Sequence, residues 1–360
     1  MSFIERVDHL LKEKGEEFSG VVLITQNGKE LYSAALGYAN RPWSVKNRMD
    51  TRFRVASVSK MFTAIATLKL IELGKFAFDT SITTVLNLPE SSIPETVTVY
   101  HLLTMTSGIA DWFDESGDWE ETWRTFIRNN PIYLLRRNED YLPLFANSPP
   151  VAPVGEKHRY NNASYILLGL LIERVSGMSY FDYIRQHIFE PAQMTRSDFV
   201  PLESVESEIA EGYVPVMDEQ GAQTSWKKNI YLVTPEAAAD GGATSTAHDL
   251  YRFAIALREG RLLSAEMTQA MLTPKVLEDD EPYRGYTWKY GYGNFFLTDQ
   301  AVEGQDAPIV RWGHTGEEDG ISCRLYCYPQ QDVDVVVLGN QSGCAVELAW
   351  DLHDLVVKNV

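Results

Sequence analysis

The chain has 360 residues, enough for one large domain or two smaller ones with an ample core. Its 32 basic and 50 acidic residues give a formal charge of −18, so phosphate backbones and anionic membrane surfaces would repel it. We therefore expect no nucleic-acid partner. With 44% hydrophobic and 23% charged residues, the composition is that of an ordinary globular protein.

The N-terminal segment resembles an ordinary helix rather than a targeting signal. Apolar residues recur at helical spacing between Phe3 and Leu11, with charges between them. A secretory signal needs an uninterrupted apolar run after a basic start, and no segment has the length of a membrane span. Cys323 and Cys327 lie too far apart along a predicted strand to bridge, and with Cys344 they match no common zinc spacing. We expect a cytoplasmic protein with free thiols and no membrane span.

Both ends of the chain predict paired strands. Segments 20–25 and 30–36 flank a Gln-Asn-Gly-Lys turn, which indicates a hairpin. Segments 320–329 and 333–340 form a second predicted hairpin, and a closing helix is predicted over 345–357. We therefore predict one antiparallel sheet built from both termini, roughly 1–55 and 286–360, within a single catalytic domain of residues 1–360. The middle, roughly 56–285, would be a mostly helical lobe.

Three helices are predicted inside that lobe. Segment 57–73 is apolar around most of its surface, which indicates a buried helix, and Gly74 ends it. Further helices are predicted over 164–175 and over 247–257, the latter after a glycine-rich segment.

Ser57 and Lys60 form an S-x-x-K motif at the start of the first of these helices. The spacing places both side chains on one helix face, and the helix N-terminus supplies a positive field and N–H groups at the serine. Burial would lower the pKa of the lysine and let it act as a base toward the hydroxyl. The same motif at Ser225 and Lys228 lies in a polar segment that we interpret as a solvated loop.

Two further elements accompany S-x-x-K in one class of acyl-transfer enzymes, namely Tyr/Ser-x-Asn and Lys/His-Thr/Ser-Gly. Tyr160 and Asn162 provide the first, directly before a predicted helix. Segments 38–40 and 292–294 match the same pattern in less suitable contexts. The second element occurs once, at 314–316, and leads into a predicted edge strand. There Gly316 would let substrate approach the backbone closely.

Five segments in order carry a resemblance to a known family. FRVASVSKMFTAIATLKLIELGK (53–75) resembles the nucleophile helix of the class C β-lactamase and penicillin-binding protein family, and four more segments follow in the family's order. These are HLLTMTSGI (101–109), RYNNASYILLGLLIERVSG (159–177), GGATSTAHDLYRF (241–253) and GHTGEEDG (313–320). The resemblance covers roughly 18–345. It implies an α/β (α+β) sandwich of the β-lactamase/transpeptidase type, with the site in the cleft between a helical lobe and an antiparallel sheet.

The resemblance also implies a role for each motif residue. Ser57 would attack a carbonyl and become acylated, while Lys60 and Tyr160 share proton transfer. Asn162 would hydrogen-bond the substrate amide, and the N–H groups of Ser57 and Glu317 would form the oxyanion hole. His314, Thr315 and Gly316 would line the substrate site. No metal or organic cofactor is implied, and consecutive carboxylates at 317–319 would diverge on a strand rather than bind a metal.

Structural explanations compete with these roles. Ser57 could cap a core helix, Tyr160 could be a packing tyrosine, His314 a hydrogen-bonded core histidine and Thr315 an ordinary strand threonine. The acidic, aromatic segment 111–123 could line the cleft with its three tryptophans, or form a locally packed surface helix.

The third motif carries His314 where β-lactamases usually have lysine, and three acidic residues follow it. A neutral histidine that protonates between pH 8 and pH 6, beside those acids, should weaken binding of a substrate carboxylate. We therefore expect a serine hydrolase that acts on small esters, amides or D-amino-acid peptides and still reacts with some β-lactams. The alternatives are a catalytically idle penicillin-binding or sensing protein, and a true class C β-lactamase.

Overall fold

The computed structural model describes residues 1–113, 119–279, 281–300 and 307–359. Its main feature is an antiparallel sheet in which strands from the two chain ends lie side by side. In spatial order, the strands are β2 (Lys29–Leu36), β1 (Gly20–Gln26), β14 (Val333–Gly339), β13 (Ile321–Tyr328), β12 (Ile309–Glu318), β11 (Phe295–Asp299), β10 (Tyr286–Tyr290) and β9 (Val276–Leu277). The predicted antiparallel sheet built from both termini is confirmed.

Helices and short strands make up the rest of the described chain. The helices are α1 (Phe3–Lys14), α2 (Lys60–Glu72), α3 (Ile82–Leu86), α4 (Val99–Leu103), α5 (Trp119–Asn129), α6 (Asn138–Phe145), α7 (Asn162–Ser176), α8 (Tyr180–Ile184), α9 (Ala247–Arg258), α10 (Ala265–Met271) and α11 (Val346–Asn359). The short strands are β3 (Tyr38–Asn40), β4 (Val45–Lys46), β5 (Phe53–Arg54), β6 (Tyr213–Met217), β7 (Gln223–Lys228) and β8 (Thr244–Ser245). Within the described ranges, no helix combines the length and apolar character needed to cross a bilayer.

The sheet is covered on both faces, which explains why its central strands are almost continuously apolar. Val21 and Leu23 of β1 belong to the large core formed with the helical lobe. Val22 and Ile24 alternate with them and pack in a second core against α1 and α11. The predicted helices 164–175, 247–257 and 345–357 correspond to α7, α9 and α11. The division into sheet and lobe subdomains remains a prediction.

The prediction of a solvated loop at residues 225–228 is wrong. These residues lie in β7, which pairs with β6 in a separate two-stranded hairpin. Ser225 and Lys228 are exposed on it, as expected, but the polar segment forms a strand because its partner β6 satisfies its backbone hydrogen bonds.

Strand β12 is also not an edge strand, because it lies between β13 and β11. However, β11 pairs with it up to Gly313, whereas β13 pairs with it as far as Glu318. Among the described residues, the segment 314–318 therefore has a strand neighbour on one side. On one face of this segment, Gly316 meets the backbone of Val55, which leads to Ser57.

This contact makes glycine necessary at position 316. A Cβ atom there would lie 2.2 Å from the carbonyl oxygen of Val55, a contact that can be relieved only by backbone movement. Gly241 touches the neighbouring Ala56 more loosely, since its Cβ would find its nearest atom at 3.5 Å. The two positions therefore form a matched pair of glycines beside one short segment.

We predict that Gly316→Ala lowers the free energy of unfolding by about 1–3 kcal/mol, the usual cost of overpacking a well-filled interior. Gly241→Ala should change it by less than about 0.5 kcal/mol. Urea unfolding of both variants and the wild type measures the difference. Equal stability of the two variants would contradict the close approach of β12 to the segment before Ser57.

Candidate active site

Ser57 lies in a 3₁₀ turn, Ala56–Ser59, that connects β5 to α2. The predicted helix 57–73 is thus α-helical from Lys60 onward, and it is buried as expected. Ala56, directly before the serine, has a φ of 44°, an unfavourable conformation for a residue with a side chain. Its carbonyl accepts hydrogen bonds from Ser59 Oγ at 2.7 Å and from Gly242 N at 3.2 Å. These contacts hold the turn that presents Ser57.

Lys60 connects Ser57 to two other parts of the lobe. Its side chain is fully buried, and Nζ lies 2.9 Å from Ser57 Oγ, 2.7 Å from Asn162 Oδ1 and 2.6 Å from the carbonyl oxygen of Asp240. Asn162 is the first residue of α7, and Asp240 precedes the glycine pair before β8. The structure therefore brings the first motif and the asparagine of the second motif into direct contact.

Tyr160 lies beside this cluster. The centre of its ring is 4.9 Å from Lys60 Nζ, and the ring is nearly parallel to that of Phe295, with centroids 6.2 Å apart. Of the competing matches, Tyr292 stacks on Phe78 and Tyr38 packs under Lys46. The choice of Tyr160 from its position before a helix agrees with this geometry.

Asp111 positions the start of α7 and was not identified from the sequence. Its carboxylate accepts hydrogen bonds from the backbone N–H groups of Asn162 at 2.7 Å and Ala163 at 2.8 Å. A negative charge at a helix N-terminus is stabilised by the helix dipole and by N–H groups that have no partner within the helix. Asp111 thereby fixes the residue whose side chain contacts Lys60. Because Asp111 lies some fifty positions before α7 in the sequence, no local sequence pattern indicated this contact.

His314 is buried more deeply than its predicted role requires. Its Nδ1 lies 2.6 Å from the carbonyl oxygen of Thr315 and its Nε2 lies 3.5 Å from the hydroxyl of Tyr290. Burial, together with the charge of Lys60, lowers the pKa of His314 to about 3. The expectation that it protonates between pH 8 and pH 6 is therefore wrong, because a buried imidazolium beside an ammonium ion is strongly disfavoured. His314 presents a neutral ring at that position.

Thr315 and Glu317 lie at the open half of β12. Thr315 is half-buried and pairs with Arg324 of β13 in the sheet register. The carboxylate of Glu317 accepts hydrogen bonds from Ser322 Oγ at 2.7 Å and from Arg324 Nη1 at 2.5 Å. The side chain of Glu317 is thus held toward β13. Glu317 also lines the cavity beside Ser57.

A cavity of about 70 Å³ opens beside Ser57. Its walls are aromatic and acidic, and no lysine or arginine lines it within the described part of the chain. Aromatic side chains come from Trp112, Phe113, Trp123 and Tyr141, and carboxylates come from Asp240, Glu317, Glu318 and Asp319.

The segment 111–123 therefore contributes to the cleft, which was one of the two alternatives expected for it. The ring centroids of Trp112 and Trp123 lie 6.2 Å apart, and Trp112 Nε1 donates a hydrogen bond to Asp240 Oδ2 at 2.9 Å. The side chain of Trp119, the third tryptophan expected in the cleft, lies outside the described structure, as do residues 114–118.

Asp240 was also missed by sequence reasoning. It is 7% exposed, and burial raises the pKa of its carboxyl group while the charge of Lys60 opposes the rise. Its position directly before the glycine-rich segment 241–243 was the one available signal. That signal was insufficient because an acid before glycines is common in ordinary turns.

Comparisons with known proteins agree with this geometry. The sequence matches the Beta-lactamase family over residues 7–358. It is 29% identical to penicillin-binding protein 4* of Bacillus subtilis, over 90% of this chain and 68% of that protein. It is 28% identical to esterase EstB of Burkholderia gladioli, over 85% and 82% of the two chains.

A solved structure gives the same result. The crystal structure of a penicillin-binding protein from Bacillus halodurans superimposes with a TM-score of 0.84 at 35% identity, covering 98% of this chain and 99% of that one. The fold is therefore of the β-lactamase/transpeptidase type, as predicted. The sheet, the Ser57–Lys60 contact and the match over residues 7–358 lead to one conclusion: this chain belongs to the Beta-lactamase family of serine hydrolases.

Proposed function

We propose that this protein hydrolyses small esters, amides or D-amino-acid peptides through an acyl-enzyme on Ser57, and that it also reacts with some β-lactams. The observation that carries the proposal is the 2.9 Å contact between Lys60 Nζ and Ser57 Oγ. A serine hydroxyl is a weak nucleophile unless a neighbouring base removes its proton. Lys60 lies within proton-transfer distance of Ser57, and its backbone is fixed in a buried helix.

In this mechanism, the reactive form of the enzyme is the one in which the resting ammonium group of Lys60 has lost a proton. The resulting neutral amine accepts the hydroxyl proton as Ser57 Oγ attacks the substrate carbonyl. The negative oxygen of the tetrahedral intermediate accepts hydrogen bonds from the N–H groups of Ser57 and Glu317. Collapse of the intermediate expels the alcohol or amine, which takes the proton back through Lys60 and Tyr160. Water then attacks the acyl-enzyme by the same proton route and releases the acid. Asn162, already in contact with Lys60, would orient the substrate amide.

The charge of the cavity supports a restriction on the acyl group. Four carboxylates line the cavity, and its described walls supply no basic side chain. His314 cannot provide a cation, because burial keeps it neutral near pH 7. A substrate carboxylate would therefore be repelled, whereas a protonated amine would meet these carboxylates and the faces of Trp112 and Trp123. We propose that acyl groups bearing a free amine are preferred.

The first prediction from the proposed function concerns the nucleophile. Intact mass spectrometry after treatment with a fluorophosphonate or a labelled penicillin should show a single adduct, which peptide mapping places on Ser57. Ser57→Ala should abolish it, while Ser225→Ala should have no effect, since Ser225 lies on the exposed strand β7. An adduct that survives Ser57→Ala would contradict the proposal.

A chromogenic ester separates a hydrolase from a protein that is acylated but barely turns over. A chromogenic ester should be turned over continuously by the wild type. A single burst followed by no further product would instead identify an acylated protein that barely deacylates.

The second prediction concerns proton transfer. Lys60→Ala should reduce the acylation rate about a hundredfold or more, the usual scale for the loss of a general base. Lys228→Ala is the matched control, because Lys228 occupies the same motif position on exposed β7, paired with Glu211. Stopped-flow acylation by a chromogenic ester measures both. A comparable loss of acylation rate in the two variants would show that Lys60 is not the specific general base.

The third prediction concerns substrate charge. An alanyl ester with a free amine should have a kcat/KM about three to ten times that of its N-acetylated counterpart, and an N-succinylated ester should be the slowest. The preference should decline as the pH rises through the amine's own pKa, near 8, because the cation is then lost.

Matched variants test the origin of that preference. Glu318→Gln, in the cavity wall, should reduce the ratio of amine to N-acetyl substrate, whereas Glu219→Gln, on an exposed turn, should leave it unchanged. A ratio that is independent of Glu318 and of pH would show that cavity charge does not select the acyl group.

A further inference from the structure

A second cavity, of about 400 Å³, lies behind the strand pair β5–β8. None of its lining residues also lines the cavity beside Ser57. Its walls include Arg54 of β5 and Thr244 of β8, which are direct partners in the short ladder between these strands. Arg54 precedes the nucleophile Ser57 by three residues along the chain. The cavity itself plays no part in the proposed mechanism.

Arg54 carries an uncompensated charge at this cavity. It is 6% exposed, and its Nη1 donates to the carbonyl oxygen of Thr234 at 2.9 Å. Its Nε and Nη2 have no hydrogen-bond partner among the described residues. A guanidinium does not lose its proton in proteins, so burial cannot neutralise it. Such a group is strongly destabilising unless an anion or polar partner approaches it.

The other two buried arginines of the described chain have an aromatic or acidic partner, although Nε and Nη1 of Arg311 also lack a hydrogen-bond partner among the described residues. The guanidinium of Arg311 lies 3.9 Å from the ring centre of Tyr326 and 4.4 Å from that of Trp350. Arg324 forms an ion pair with Glu317 at 2.5 Å. Among the described residues, Arg54 has no ion pair with a carboxylate and no aromatic ring stacked on its guanidinium. It is the one of the three that lines the cavity of about 400 Å³.

The other described polar side chains that line the cavity do not form an ion pair with Arg54. Thr244 is 1% exposed, and its hydroxyl has no partner among the described residues. The two acids in the wall are already paired, Glu206 with Arg52 at 2.5 Å and Glu211 with Lys228 at 2.6 Å. An unpartnered acceptor, Oδ1 of Asn340, also lines the cavity and would suit a water or a protonated oxygen of the ligand.

We propose that this cavity is a binding site for a small organic carboxylate. The carboxylate accepts hydrogen bonds from Nε and Nη2 of Arg54, the fork geometry that matches its two oxygens, and from the hydroxyl of Thr244. A volume of about 400 Å³ accommodates an anion of the size of malonate together with water. Because Arg54 and Thr244 lie on paired strands, the ligand would tie together β5 and β8, and β5 leads directly into the Ser57 turn.

Thermal unfolding in malonate, compared with sodium chloride at equal ionic strength, tests the proposal. The wild type should show a rise in Tm that grows with the logarithm of malonate concentration and reaches roughly 4 °C, since a ligand that binds the folded state stabilises it by mass action. Ser57→Ala should show the same rise, which separates this site from the catalytic one. Arg54→Gln and Thr244→Val should lose most of it, and Arg137→Gln, on an exposed side chain, should keep it.

A crystallographic measurement covers the case in which Arg54→Gln does not fold. Wild-type crystals soaked in 4-bromobenzoate, whose aryl bromide does not alkylate protein side chains, should give an anomalous bromine peak in this cavity, with the carboxylate against Arg54. A Tm that follows ionic strength alone, an equal rise in Arg54→Gln, or bromine bound solely elsewhere would overturn the proposal.

Discussion

The buried ammonium group of Lys60 is the constraint on which the arrangement of the site depends. Removing a charged amine from water costs several kcal/mol, and this cost is offset only when acceptors surround it. Here the acceptors come from three separate parts of the chain, the Ser57 turn, the first residue of α7 and the carbonyl of Asp240. The lobe must therefore bring these three segments together for α2 to be buried at all. The burial of α2 and the placement of Lys60 beside Ser57 consequently rest on the same contacts.

Asp111 and Asp240 hold in place two of the segments that surround Lys60. Asp111 holds the N-terminus of α7, and Asp240 joins Trp112 to the segment that approaches Lys60. Both acids compensate positive charge, from a helix dipole in one case and from an ammonium group in the other. The acidity of the cleft is thus partly structural. Activities within this family differ although the fold is shared, so the proposed preference for an acyl group depends on the composition of the cleft walls rather than on the sheet.

The sequence was sufficient for the elements that repeat a local pattern. The apolar run of α2, the hairpins at the chain ends and the motif order were all readable because each depends on neighbours a few positions away. It was not sufficient where distant segments meet. The environment of His314 is set by Tyr290 and by Lys60, and its depth of burial could not be inferred from a His-Thr-Gly triplet. The same holds for β12, whose open half depends on where β11 stops pairing.

The adjacency of β1 and β14 has a consequence for how the protein is made. Gly20 pairs with Gly339, so the ladder between β1 and β14 joins residues more than three hundred positions apart. During synthesis, the hairpin of β1 and β2 leaves the ribosome long before its partner strand exists, and it presents an apolar, unpaired edge in the meantime. Contacts of such high sequence separation also slow folding. We therefore expect the nascent chain to need chaperone protection until its last strands emerge, and truncation of those strands to produce aggregation rather than a smaller folded domain.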